Sequence, residues 1–144
     1  MIDKAVIVRR LTALDEYYSD LIEARDISFE KFSSNKVSRR YIERTLHMAI
    51  EACLDVANHI ISYEGFRESI NNQDTFAVLQ ENGILDDELA DQLKEMAKFR
   101  NVLVHDYLRV RADIVYGILQ DRLEDLRQFG SVIQSIFFSD TRIS

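Results

Sequence analysis

The sequence predicts an all-α protein, an up-and-down bundle of four long helices plus one short helix. The chain of 144 residues contains no proline and only four glycines. Proline is excluded from helix interiors, and both residues mark turns, so their scarcity favours long helices with short connections. Apolar residues recur at spacings of three and four along much of the chain, which is the period of one helix face. At this length we expect a single domain over residues 1–144.

The first two long helices are predicted over residues 3–24 and 37–63. Asp3 is a candidate N-cap for the first, and a turn at Ser33–Asn35 precedes the second. The apolar stripe of the first helix is Ile7, Leu11, Leu14, Tyr18 and Leu21. The stripe of the second is Ile42, Leu46, Ala49, Cys53, Ala57 and Ile60. Both stripes are continuous enough to predict a face that packs on a core.

A second stripe on the second helix is largely polar. It consists of Arg44, Glu51, Asp55, Asn58 and Ser62. One interpretation is a solvated face, and the other is a polar wall that faces a basic segment elsewhere in the chain. In the second case Glu51 and Asp55, one turn apart, would each be able to meet an arginine. His47 lies one turn before Glu51 and is most simply interpreted as its surface partner.

The remaining helices follow from turn and cap residues. Gly65 is expected to end the second helix, before a loop over residues 66–73. A short helix is predicted over residues 74–81, with Asp74 as its cap and Gly83 as its stop, and Asp86 caps the next helix. Its inward stripe is Leu89, Leu93, Met96 and either Phe99 or Arg100. Asp113 is the predicted cap of the last long helix, which should reach about Phe138, with the stripe Ile114, Ile118, Leu119, Leu123, Leu126, Phe129, Ile133 and Ile136.

Charge and cysteine content limit the possible functions. The formal net charge of −7 is unfavourable for broad, nonspecific nucleic-acid binding. The charge reverses locally: residues 94–111 hold five lysines and arginines against two acidic residues, which is 5 − 2 = +3 with histidine neutral. One cysteine excludes an intrachain disulfide and fits a reducing compartment. With no long apolar run, we expect no signal peptide, no membrane span and a cytoplasmic protein.

The basic segment contains the octet at residues 100–107, which brings together Arg100, His105 and Tyr107. These are a permanent cation, a group that titrates near neutrality and a phenol. Arg100 and His105 are five residues apart, which in a continuous helix separates them by about 140°. They would converge if the helix ended between them or if a second copy of the chain completed the site. The structural alternative is a salt bridge, a histidine at a helix C-terminus and a half-buried phenol.

Other site chemistries have little support in the sequence. His47, His59 and His105 are scattered, so we expect no metal site. There is no glycine-rich phosphate loop, and we expect no cofactor. Cys53 lies on an apolar stripe and is predicted to be an inert, buried thiol.

The octet Arg100-Asn101-Val102-Leu103-Val104-His105-Asp106-Tyr107 resembles the Arg-x4-His-x-Tyr signature of HEPN-domain proteins of the HepT toxin type. Residues 51–60, Glu-Ala-Cys-Leu-Asp-Val-Ala-Asn-His-Ile, resemble the second-helix motif of that family. Residues 74–79, followed by Gly83-Ile84-Leu85, resemble its middle segment. The resemblance covers roughly residues 40–130, and the flanks agree in helical pattern alone.

This resemblance implies an all-α homodimer, with further association of dimers left open, in which the Arg-His motifs of two subunits share a cleft. It implies the toxin of a type VII toxin–antitoxin pair, acting as a metal-independent endoribonuclease on RNA. The implied partner is a small MntA-like nucleotidyltransferase antitoxin that transfers AMP from ATP to Tyr107.

The resemblance also assigns roles to residues of this chain. Arg100 would hold the phosphate and His105 would exchange a proton with the attacking or leaving oxygen. Glu51, Asp55 and Asn101 form the candidate polar wall, and either Glu51 or Asp55 would orient Arg100. The candidates for contacts with the RNA backbone are Lys98, Arg109 and Arg111. Two alternatives stay open: a catalytically silent HEPN module that supports a nucleotidyltransferase or binds nucleotide, and a structural dimerisation bundle.

Overall fold

The structure is a computed structural model that describes residues 4–105 and 111–143, with the backbone alone for residues 104, 105 and 139–143. The prediction of an all-α chain is confirmed, because the described residues form helices joined by turns and loops, with no strand among them. The helices are α1 (Lys4–Ala24), α2 (Phe29–Ser34), α3 (Lys36–Glu64), α4 (Asn72–Glu81), α5 (Asp87–His105), α6 (Ala112–Asp121) and α7 (Leu123–Ile143).

Helix α3 is the centre of the fold. It packs along α1 and also contacts α2, α4, α5 and α7. Its predicted apolar stripe is confirmed, since Ile42, Leu46, Ala49, Cys53, Ala57 and Ile60 are all buried. Burial of these side chains removes apolar surface from water and fixes the rotation of α3 about its axis. The polar stripe on another face is thereby placed in a defined position.

The loop between α3 and α4 places the start of α4 beside the later part of α5. Gly65 ends α3 in the left-handed conformation with φ 70°, as predicted. The predicted cap at Asp74 is wrong, because the Oδ1 atom of Asn71 accepts the hydrogen bond from the Asp74 amide at 2.8 Å. Asp74 instead accepts hydrogen bonds from the Arg67 guanidinium at 2.7 and 2.9 Å, which hold the loop against α4. The prediction of Asp86 as the cap of α5 is confirmed by its 2.8 Å bond from the Leu89 amide.

Two short helices differ from the prediction. The expected turn at residues 33–35 is wrong for its first two residues, because Ser33 and Ser34 belong to α2 and only Asn35 lies between α2 and α3. The expected single last helix is two helices, because the backbone leaves the helical region at Arg122 (φ −120°, ψ 4°). The physical reason is that the two parts contact different neighbours. Helix α6 lies against α2, where the Tyr116 hydroxyl donates to the Ile27 carbonyl at 2.7 Å, whereas α7 lies against α1, α3 and α5.

The break changes the predicted details of this region. Arg111, and not Asp113, is the N-cap residue of α6, and it makes no side-chain capping bond. Ile114 and Ile136, predicted on the buried stripe, are 46% and 47% exposed. None of the described helices has the length and apolar character that a membrane span requires.

Candidate active site around Arg100

Arg100 lies where α5 crosses α3, and Glu51 holds its guanidinium group. Arg100 Nε donates to Glu51 Oε1, and Arg100 Nη1 donates to Asn101 Oδ1 at 3.2 Å. The two side chains of the ion pair are 20% and 28% exposed. Because water is partly excluded, this charge-assisted bond holds the arginine more firmly than a bond on the open surface would.

The choice between Glu51 and Asp55 as the partner of Arg100 is resolved by the crossing of the helices. Glu51 contacts Arg100, whereas Asp55 faces α1 and pairs with Arg10 at 3.5 Å. Burial raises the pKa of Asp55, and the nearby Glu51 carboxylate adds to that rise, while Arg10 opposes it. The two acidic residues therefore pair with arginines on two different helices, Glu51 with α5 and Asp55 with α1.

The predicted polar stripe on α3 is only partly a wall that faces the basic segment. Glu51 faces α5, but Arg44, Asp55, Asn58 and Ser62 are exposed. Asn101, the third predicted wall residue, lies on α5 itself and receives a 3.5 Å hydrogen bond from Asn72 at the start of α4. The candidate site is thus built from α3, α4 and α5.

Sequence reasoning missed that His47 belongs to the site, because Glu51, its partner, also contacts Arg100. The pair that the sequence predicts between His47 and Glu51 is present at 3.4 Å, but it is not a surface pair, because the imidazole is only 20% exposed. Its Nδ1 atom also lies 3.3 Å from Arg44 Nη1. The spacing of residues 44, 47 and 51 was the available signal, since positions three and four apart are neighbours on a helix.

The path of α5 limits how Arg100 and His105 can meet. The backbone stays helical from Arg100 through His105, so the alternative in which the helix ends between them is wrong. Helical geometry keeps the two positions about 140° apart around the axis of α5. The other predicted motif residue, Tyr107, lies outside the described residues. Within one chain, the positions of Arg100 and His105 therefore do not share a face of α5.

The basic residues near the motif have different surroundings. Lys98 is exposed beside a shallow groove between α5 and α6, next to Phe99 and Val102. Arg111 forms an exposed ion pair with Asp113 at 2.7 Å, so part of the positive charge expected for RNA is locally balanced. Arg109 lies outside the described residues.

The predicted properties of Cys53 are confirmed. The thiol is buried among apolar residues of α3, and burial raises its pKa, which disfavours the reactive thiolate. Within residues 4–103 and 111–138, no group of three or more histidine, cysteine or acidic side chains is arranged to hold a metal ion.

Sequence comparisons confirm the resemblance to HEPN-domain proteins of the HepT type. The model of the family described as "Ribonuclease HepT-like" matches residues 14–133. The mRNA nuclease HepT of Shewanella oneidensis is 39% identical over 90 residues, which are 62% of this chain and 68% of that protein. The tRNA nuclease HepT of Aphanizomenon flos-aquae is 31% identical over 136 residues, which are 92% of each protein.

Solved structures share the fold over nearly the whole chain. A tri-AMPylated HEPN toxin of Shewanella oneidensis, in complex with the MNT antitoxin, superposes with a TM-score of 0.83 at 29% identity, covering 94% of this chain and 99% of that one. A toxin–antitoxin structure with AMP-PNP gives a TM-score of 0.84 at 27% identity, covering 91% of this chain and 98% of that one. The family match over most of the sequence, the curated relatives and the shared fold together show that the chain belongs to the Ribonuclease HepT-like family, as a HEPN domain of the HepT type.

Proposed function

We propose that the chain is an endoribonuclease that acts as the toxin of a toxin–antitoxin pair. The observation that carries the proposal is the placement of Arg100: its guanidinium is held by Glu51, on a helix that continues to His105. Relatives named as mRNA and tRNA nucleases support RNA as the substrate.

The proposed reaction uses the nucleophile that RNA itself carries. The 2′-oxygen attacks the neighbouring phosphorus, the bond to the 5′-oxygen breaks, and a 2′,3′-cyclic phosphate and a 5′-hydroxyl are formed. His105 exchanges a proton with the attacking or leaving oxygen, a role suited to histidine because the ordinary pKa of a free imidazole is about 6.5. Arg100 donates hydrogen bonds to the phosphate oxygens and stabilises the charge that develops there. Because Glu51 engages Nε and Asn101 engages one hydrogen of Nη1, Nη2 and the second hydrogen of Nη1 are the donors offered to the substrate.

The proposed site is a cleft shared by two subunits of a homodimer. The support is the continuous helix between Arg100 and His105, which separates the two positions around one axis. An isologous dimer uses the same surface patch of both subunits. If that patch contains the C-terminal part of α5, Arg100 of one chain can face His105 of the other across the two-fold axis. Lys98, Arg109 and Arg111 are the proposed contacts with the RNA backbone.

The reaction is proposed to be independent of metal ions. A 2′-hydroxyl nucleophile, a general acid–base and a cation for the phosphate together make up a complete set of catalytic groups. Undiminished cleavage in protein verified to be free of metal, with a chelator present, is the expected result. Cleavage that returns only when a divalent ion is added would contradict it.

The decisive variant for the proposed activity is His105→Ala. It should abolish RNA cleavage and growth inhibition, while the helical circular dichroism spectrum and the oligomeric state stay those of the wild type. The products of the wild-type enzyme should carry the cyclic phosphate and the free 5′-hydroxyl. Cleavage by His105→Ala at the wild-type rate would overturn the proposal. A wild-type protein that binds a nucleotidyltransferase but leaves every RNA intact would favour the silent binding module instead.

We further propose that Tyr107 is the position at which activity is switched off. An MntA-like nucleotidyltransferase would form a bond between the tyrosine oxygen and the α-phosphorus of ATP, releasing pyrophosphate. The attached AMP adds bulk and negative charge beside the basic segment, where the RNA phosphate would lie. A HEPN toxin described as tri-AMPylated supports the class of modification.

Mass spectrometry tests the modification. Incubation with the transferase and ATP should add mass in steps of AMP to the wild type and to Tyr63→Phe, a control at a tyrosine that is 44% exposed. Tyr107→Phe should remain unmodified and toxic in the presence of the antitoxin. Modification that persists in Tyr107→Phe would refute the assignment.

A further inference from the structure

His47 contacts the carboxylate that holds Arg100. Its Nε2 atom lies 3.4 Å from Glu51 Oε1, which also accepts the bond from Arg100 Nε. Its Nδ1 atom lies 3.3 Å from Arg44 Nη1. The four side chains therefore form a continuous chain of polar contacts, from Arg44 on the surface of α3 to Arg100 on α5.

The chemistry of the two partners fixes the proton on the imidazole ring. A guanidinium group can only donate hydrogen bonds, so Nδ1 of His47 must accept the bond from Arg44. A neutral imidazole then carries its single proton on Nε2, and this N–H group donates a hydrogen bond to the Glu51 carboxylate. One carboxylate oxygen has two lone pairs, so Oε1 can accept from both His47 and Arg100.

We propose that His47 is a positioning residue for the nuclease site: its Nε2–H holds the Glu51 carboxylate in the orientation that fixes Arg100, and Arg44 selects the tautomer that allows this. The inference rests on the proposed function for its kinetic part. Glu51 has rotatable bonds that the contact with Arg100 alone does not restrict. A second donor on the same oxygen, supplied from one turn earlier on the same helix, limits that freedom.

The protonation state of His47 agrees with this role. Burial lowers the pKa of His47, and the charges of Arg44 on α3 and Arg100 on α5 lower it further, while Glu51 on α3 opposes them. The ring is therefore neutral at physiological pH and keeps Nδ1 free to accept. Protonation would direct an N–H group at Arg44 and break that contact.

Three variants separate the proposed role from a general effect on folding. His47→Gln places an amide nitrogen near the position of Nε2 and can still donate to Glu51. His47→Asn has a side chain one bond shorter than Gln, so its amide nitrogen lies near the position of Nδ1 and does not reach the carboxylate. His59→Gln is the matched control, since residue 59 lies on the same helix about 18 Å further along its axis. Thermal unfolding and circular dichroism identify any variant that has lost its fold.

The kinetic experiment measures single-turnover RNA cleavage. The rate constant should be close to the wild-type value for His47→Gln and His59→Gln. For His47→Asn it should fall by about tenfold, with little change in the enzyme concentration that gives half of the maximal rate, because a small misplacement of a catalytic group lowers the rate strongly. Equal rate constants for His47→Gln and His47→Asn would overturn the inference.

Nuclear magnetic resonance tests the inference independently of activity. In the wild type, the ring nitrogens of His47 should show a neutral Nε2–H tautomer, and Arg100 should give a protected Nε–Hε signal. That signal should persist in His47→Gln and broaden or disappear in His47→Asn. An unchanged Arg100 signal in His47→Asn, or an Nδ1–H tautomer in the wild type, would contradict the proposal. If the wild type cleaves no RNA, the proposed function fails, whereas these spectra still decide the role of His47.

Discussion

The acidic pair on α3 shows which part of the site the sequence determines. Glu51 and Asp55 are one turn apart, and spacing alone gives both equal access to an arginine. The choice depends on the neighbouring helices, since α5 brings Arg100 to Glu51 and α1 brings Arg10 to Asp55. The sequence therefore predicts that a carboxylate holds Arg100. The packing of α1, α3 and α5 shows that this carboxylate is Glu51.

Removing the charge of Glu51 should impair catalysis more than removing that of Asp55. Glu51→Gln should lower the cleavage rate constant by about 10- to 100-fold, because a hydrogen bond between charged groups contributes about 1.5–3 kcal/mol. Asp55→Asn is the matched control: its pair with Arg10 is about half exposed, and the rate should change by less than about twofold. Rapid-quench cleavage assays give both values, and equal losses in the two variants would contradict the assignment.

His47 should also make folding stability depend on pH. Its pKa in the folded protein is lowered from the ordinary 6.5, so the unfolded chain binds the proton more tightly. The free energy of unfolding should therefore fall as the pH drops below about 6.5, and the loss should level off once the folded protein is also protonated. Urea unfolding between pH 5 and 8 should show a shallower decline for His47→Gln. The same pH dependence in both proteins would show that His47 does not contribute.

At the level of the helices, the sequence predicted what periodicity and caps encode. The stripe of α3, its end at Gly65 and the Asp86 cap of α5 are all present. The break at Arg122 was missed because no proline or glycine marks it and the apolar period continues across it. The break arises from tertiary contacts, since α6 and α7 pack on different neighbours. Helix α2 was missed because six residues are too few for a periodic signal.

The junction of α6 and α7 depends on a partly buried ion pair. Arg122 Nε donates to Asp125 Oδ2 at 2.9 Å, and the Asp125 side chain is only 7% exposed. Arg122→Leu should lower the free energy of unfolding by about 2 kcal/mol, because it leaves a buried carboxylate without its partner.

Arg127→Leu is the matched control for this prediction. Arg127 also pairs with an acidic residue three positions away, Glu124, but both side chains are about half exposed. Exposed pairs contribute little, so the expected loss is below about 0.5 kcal/mol. Chemical denaturation measures both losses, and an equal effect of the two substitutions would contradict the role assigned to Asp125.

At the scale of the whole molecule, the sequence and the structure agree on the fold and the family. For the site, the sequence provides the candidate residues and the structure provides their contacts. The all-helical fold was predicted from composition and period, and relatives of known structure share it. The sequence named Arg100, His105 and Tyr107, with Glu51, Asp55 and Asn101 as candidate supporting residues. The structure shows that Glu51 and Asn101 contact the arginine, and that His47 reaches it through Glu51. Helical geometry keeps Arg100 and His105 of one chain on different faces of α5. We therefore expect the two residues to meet across the interface between subunits.

In the proposed homodimer, RNA is cleaved in a cleft to which one subunit contributes Arg100 and the other His105. The most direct test mixes two inactive variants, Arg100→Ala and His105→Ala, under conditions that allow subunit exchange. Half of the resulting dimers should be mixed, and each of these has one intact site, so activity should recover to about a quarter of the wild-type value. Each variant alone should remain inactive. Exchange confirmed by mass spectrometry without any recovery of cleavage would contradict a site shared in this way.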